Sequence, residues 1–130
     1  MKKAFIEKLQ TVLQLAPVKI DAAYVFGSVA QGTARADSDI DIAVACQPLD
    51  SQQKMQLWDA LAEAVERPVD LVELSKAGTT VYSEALSGER IVGDAQTHAC
   101  LLARMLVDEA DFGPIYKRML KERREAWIGE

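Results

Sequence analysis

The sequence predicts a mixed α/β fold built from 130 residues. Two observations carry this expectation. Apolar residues recur at helical spacing in some stretches and alternate with a period of two in others, in the order helix, strand, strand, helix, strand, helix, then a helical tail. In addition, 49% of the chain in all is apolar, enough for a core, yet no run approaches the roughly 18 apolar residues of a membrane span.

Each element has its own signal. Residues 3–16 place Phe5, Leu9, Val12, Leu13 and Ala16 on one helical face, and Pro17 stops the helix. Residues 21–26 end in Tyr24-Val25-Phe26 and run into Gly27-Ser28, a strand meeting a tight turn. Residues 29–38 are small and polar and read as a very short helix plus a loop. Ile40, Ile42 and Val44 alternate with Asp39, Asp41 and Ala43, the signature of a strand with two distinct faces. Residues 51–66 predict a helix capped by Ser51, with Met55, Trp58, Leu61, Ala62 and Val65 along one side. After Pro68, residues 69–74 predict a third strand. Residues 79–87 predict a short helix ending at Gly88, and Arg90 to Val92 a small fourth strand. Residues 96–109 form a helix carrying Leu101, Leu102, Met105 and Leu106. Asp111-Phe112-Gly113-Pro114 breaks it before a last helix to about Trp127. With no repeat, linker or low-complexity stretch, residues 1–130 are expected to form one domain, its helical tail at about 95–128.

Charge and cysteine usage narrow the class. Fifteen Lys and Arg against 20 Asp and Glu leave a net charge of −5, which weighs against a protein that coats nucleic acid. Residues 51–94 carry most of that excess. Lys117, Arg118, Lys121, Arg123 and Arg124 form a basic run opposed within it by Glu122 alone. Such a run suits a solvated helix face or a partner-docking surface. Glu7, Lys8 and Gln10 interrupt what would be the apolar stretch of a secretory signal. Cys46 and Cys100 stand far apart without histidine spacing, which suggests reduced thiols in a cytosolic protein.

The chemistry lies in Gly27-Ser28, ten residues, then Asp39-Ile40-Asp41. On a strand, residues i and i+2 share a face, so Asp39 and Asp41 stand side by side, roughly 6–7 Å apart at the backbone. Like charges so placed repel unless a cation lies between them, and Mg²⁺ suits a purely oxygen site. Asp70, between Val69 and Leu71, adds a third carboxylate if its strand is a neighbour. Three carboxylates can hold two divalent ions for an in-line phosphoryl or nucleotidyl displacement. Gly27 lets a ligand approach the backbone, and backbone N–H groups with the Ser28 hydroxyl at a helix start make an anion site.

Gly27-Ser28, Asp39-Ile40-Asp41 and Asp70 together resemble the DNA polymerase β-like nucleotidyltransferase superfamily, whose signature is Gly-Ser, a spacer, Asp-x-Asp and a later Asp. The resemblance covers residues 20–75 closely, the expected catalytic core, and implies a small mixed sheet flanked by helices. Lacking an additional substrate-binding domain, the chain looks like a minimal nucleotidyltransferase (MNT), more specifically an MNT antitoxin paired with a HEPN ribonuclease toxin. The resemblance implies transfer of AMP from ATP to a tyrosine of that toxin. It implies that Asp39, Asp41 and Asp70 are catalytic and bind two Mg²⁺ ions, with Asp70 also a candidate general base, and that Gly27 and Ser28 hold the phosphates. It implies a cytoplasmic protein that binds its toxin and ATP, and neither a membrane nor nucleic acid directly. Val29 and Gln31 stand where many relatives carry arginines, and Arg35 is the nearby substitute.

Blander readings exist for each residue. Asp39 and Asp41 alone fit solvated residues at a strand start; Gly27-Ser28 at this distance is what favours the catalytic reading. Asp70 fits a half-exposed strand, Ser28 a helix cap, and His98 a partly buried helix position. Trp58 and Trp127 fit packing, and nothing in the sequence marks Tyr82 or Tyr116 as modified. Two other functions stay open: a nucleotidyltransferase acting on an aminoglycoside-like small molecule, and an antitoxin that blocks its toxin without catalysis. If the turn cradles phosphate, Ser28→Ala should cost about 1–3 kcal/mol of transition-state binding, because the backbone donors remain. Gly27→Val should abolish transfer, with kcat/KM for AMP transfer as the measurement that compares the two variants.

Overall fold

The computed structural model describes residues 3–27 and 39–108. The predictions for Ser28, the short helix at 29–38, Arg35, Tyr116, the basic run at 117–124 and Trp127 lie outside the described residues.

Within the described residues a four-stranded mixed sheet is covered by helices on both faces. The chain runs α1 (Lys3–Gln14), β1 (Ile20–Phe26), β2 (Ile40–Cys46), α2 (Ser51–Val65), β3 (Val69–Glu73), a 3-10 turn (Leu74–Lys76), α3 (Thr79–Leu86), β4 (Glu89–Val92) and α4 (Ala95–Asp108). The strands lie in the order β3-β2-β1-β4. β1 is antiparallel to both β2 and β4, whereas β2 and β3 are parallel. Every strand and helix expected over these residues is present, with bounds displaced by a residue or so.

The two faces of the sheet are chemically different. One carries Val25, Ile40, Ile42, Val44 and Leu71, packed against Leu9 and Leu13 of α1 and Leu57, Leu61 and Val65 of α2. Most of these are branched aliphatic residues, which fill the space between sheet and helices densely. The other face presents Ala22, Ala43, Tyr24 and Phe26 to Tyr82, Ala85 and Leu86 of α3 and Leu101 of α4. Alanines there let that helical layer come close. At the end of α3, a Cβ on Gly88 would lie 2.8 Å from Phe26 Cβ, closer than real side chains approach. Tyr24, fully buried, ties α4 down through a 2.7 Å contact between its hydroxyl and His98 Nδ1.

Two sequence expectations for α2 are corrected. Asp50, not Ser51, caps the helix: its Oδ1 accepts the Gln53 N–H at 2.7 Å, and Gln53 Oε1 accepts the Asp50 N–H at 3.1 Å. A carboxylate one residue earlier completes a reciprocal capping box that serine at 51 does not reach. Met55 is 65% exposed, because Leu57, Leu61 and Val65 take the core side of α2. Trp58 is half-buried and donates its indole N–H to the Val69 carbonyl.

Buried Glu73 secures the loop before α2. Its Oε2 accepts the Leu49 N–H at 3.4 Å, and its Oε1 faces the Lys54 and Lys76 ammoniums at 3.7 and 3.6 Å. No helix among the described residues is long and apolar enough to cross a membrane. Removing the Asp50 cap should be felt in stability alone. Asp50→Ala is expected to cost about 1 kcal/mol, read as a lower midpoint in urea with an unchanged slope.

Candidate active site

Parallel pairing of β2 with β3 decides the site. The register sets Ile40 against Val69, Asp41 against Asp70 and Ile42 against Leu71. It is fixed at its start by the Ile40 N–H, which donates to the Pro68 carbonyl at 2.9 Å. Aligned residues on adjacent strands lie about 4.8 Å apart and project to the same side. Asp41 and Asp70 therefore stand together on the alanine face, at the end of the sheet where β2 and β3 begin. Asp39 is exposed just before β2, one strand period from Asp41, while Ile40 and Ile42 are buried on the opposite face.

β1 supplies the other side. Phe26, its last residue, pairs with Asp41 across the antiparallel ladder, so Gly27 lies beside the carboxylates. Gly27 has φ +76°, the left-handed region that a side chain disfavours. A Cβ at Gly27 would also collide with the Asp41 carboxylate and lie 3.3 Å from its Cγ. Glycine is thus required twice over, by the turn and by Asp41. The structure brings Gly27, Asp39, Asp41 and Asp70 to one corner; Ser28, next in sequence to Gly27, lies outside the described residues.

The corner is electrostatically frustrated. Partial burial raises the Asp41 carboxyl above the ordinary carboxylate range, and the charges of Asp70, Asp39 and Glu84 push it further in the same direction. Glu84, on α3, carries no sequence signal: it belongs to no motif, and only the packing of α3 on β1 reveals its proximity. Tyr82 does not fit an exposed modification site. It is buried, and its hydroxyl donates to the Leu101 carbonyl at 3.0 Å.

The donor set suits a hard divalent cation, being all carboxylate and crowded enough that a cation would relieve the repulsion at Asp41. Among the described residues no three His, Cys, Asp or Glu side chains are grouped so that together they could hold a metal ion. Mg²⁺ does not demand such a cage, since it is commonly held by one or two carboxylates with substrate phosphates and water.

A mixed sheet with paired aspartates beside a glycine turn defines a nucleotidyltransferase corner, and the chain belongs to the family described as Polymerase beta, Nucleotidyltransferase, whose profile matches residues 7–97. Its fold is that of the polymerase β-like nucleotidyltransferases. Over 80 residues the chain is 40% identical to Protein adenylyltransferase MntA of Shewanella oneidensis, a match covering 60% of this chain and 58% of that relative. The matched part is therefore less than two thirds of that relative's length. A crystal structure of a toxin–antitoxin with AMP-PNP is similar at a TM-score of 0.72 and 28% identity, covering 95% of both chains. A structure of tri-AMPylated Shewanella oneidensis HEPN toxin in complex with MNT antitoxin is similar at a TM-score of 0.68 and 25% identity, covering 99% of this chain and 97% of the other.

The frustration at Asp41 has a measurable sign. With its folded value raised, Asp41 holds a proton more tightly when folded, so its contribution favours folding at low pH and is lost as pH rises through the raised value. Asn cannot charge. Without divalent ions, Asp41→Asn should therefore melt on the order of a few degrees above the parent at pH 8. Water still reaches the carboxyl, which keeps the gain small. Thermal melts should show the difference vanish toward a pH of about 4.

Proposed function

We propose that this protein is an antitoxin that transfers AMP from ATP to a tyrosine of a HEPN-domain ribonuclease toxin, acting in the cytoplasm. The observation that carries the reading is the register pairing of Asp41 with Asp70, with Asp39 one strand period away and Gly27 against the Asp41 carboxylate. Adenylyltransferase naming in the 40% identical relative, and toxin–antitoxin complexes among the similar structures, support the same direction.

In this reading Asp39, Asp41 and Asp70 would hold two Mg²⁺ ions, which supply charge neutralisation for the triphosphate. The Gly27 backbone, free of a side chain, lets the phosphates approach, and the Ser28 hydroxyl adds a donor to them. Asp70 accepts the proton of the tyrosine hydroxyl. The phenolic oxygen forms a bond to the α-phosphorus, the bond to the bridging oxygen breaks, and pyrophosphate departs. The protein contributes positioning and fixed charge rather than a covalent intermediate. AMP on the toxin adds bulk and negative charge where RNA phosphates bind, so the toxin loses its substrate by occlusion and repulsion.

Intact-mass spectrometry of the toxin after incubation with this protein and Mg-ATP tests the reading. The toxin should gain mass in whole AMP units on tyrosine, stay inactive once the antitoxin is removed, and remain unmodified with the Asp39→Asn/Asp41→Asn protein. Full neutralisation in cells by that double variant, with the toxin unmodified, would replace catalysis by simple blocking.

A further inference from the structure

The catalytic corner has a wall that the sequence motif does not include. α3 lies on the same face of the sheet as Asp41, with Tyr82, Ala85 and Leu86 packed among Ala22, Tyr24, Phe26 and Ala43. One helical turn beyond Glu84, Gly88 is pressed against the Val25 carbonyl and Phe26. Phe26 is the cross-strand partner of Asp41 and the residue before Gly27. Glu84 is exposed and makes no hydrogen bond or ion pair with another described residue. Its charge nevertheless acts on the Asp41 carboxyl from the helical layer, outside the two strands that carry the aspartates. Exposed, and unpaired among the described residues, it adds negative charge beside the proposed triphosphate site.

That charge opposes nucleotide binding unless a cation meets it. We propose that Glu84 recognises the acceptor: it pairs with a Lys or Arg side chain of the partner protein next to the hydroxyl that receives AMP. The inference rests on the function proposed above and gives it a recognition residue. A surface that binds RNA is rich in Lys and Arg, because phosphate contacts dominate its affinity. A tyrosine on such a surface arrives with cations around it. A carboxylate on the wall of the site sets the orientation and speeds the approach of that surface, the usual work of a rim charge. The cation it draws in also offsets the repulsion that Glu84 imposes on the triphosphate.

The test uses the full chain and its toxin, measuring KM and kcat with toxin as the varied acceptor, and Mg-ATP affinity by calorimetry. Glu84→Gln should raise the KM for toxin about three- to tenfold, and Glu84→Lys more, with kcat held within about twofold. Glu84→Asp should restore much of the loss. The KM effect should shrink as salt is raised. Mg-ATP should bind Glu84→Gln at least as tightly as the parent. A fall in kcat with a displaced pH profile would make Glu84 a proton acceptor instead, and a loss of Mg-ATP affinity would make it a ligand of the ions. Either result, or no change in KM, overturns the proposal. If the unaltered protein adds no AMP to the toxin, the underlying function fails first, and this inference with it.

Discussion

Asp41 and Asp70 face each other because β2 and β3 run parallel in one particular register, and the rest of the corner depends on that pairing. A slip of β3 by one residue would turn Asp70 into the aliphatic layer beneath the sheet and expose Val69 and Leu71, while Asp41 stays in place through its pairing with β1. Burying that charge among leucines and isoleucines is prohibitive. The apolar face therefore enforces a register that the acidic face could not choose, since two like charges opposite one another disfavour it. Core packing against α1 and α2 supplies the free energy that holds the carboxylates together.

The two faces divide the labour. Branched aliphatic residues on one side anchor the strands, while small residues on the other let α3 and α4 approach closely. Gly27 extends the same economy to the end of β1, where the missing side chain leaves room for the Asp41 carboxylate. Tension among charges is concentrated at this corner. Elsewhere among the described residues, buried Tyr24 is partnered by His98, and buried Glu73 by Leu49, Lys54 and Lys76.

Much of this was legible in the sequence, for a physical reason. Strand period and apolar alternation are local signals, and they set the faces of Ile40, Asp41 and Ile42 before any contact is known. Asp70 was legible as a candidate, but its pairing with Asp41 is a long-range fact that no local pattern encodes. Glu84 left no trace, because its position depends on how α3 packs over β1. The Ser51 expectation erred since Ser and Asp both cap helices, and only the reciprocal bond with Gln53 distinguishes them. Met55 erred because an amphipathic stripe fixes a face to within about one neighbour, and Leu57 competed for the same side.

The two outer strands show how the sheet is finished. On β3, the Val69 carbonyl points away from β2 and is taken by the Trp58 indole, over which the Lys54 ammonium sits at 5.8 Å from the ring centre. On β4, the Ile91 carbonyl is taken by the Gln10 amide at 2.7 Å. On each outer strand, one main-chain acceptor that could template an additional strand is thus occupied by a side chain of the protein's own helices. Recognition by strand addition reads backbone and tolerates many sequences. Obstructing that route shifts recognition toward side chains, where charge and shape at a few positions discriminate. Side chains that cap these two carbonyls make each sheet edge a poorer template for a stray strand.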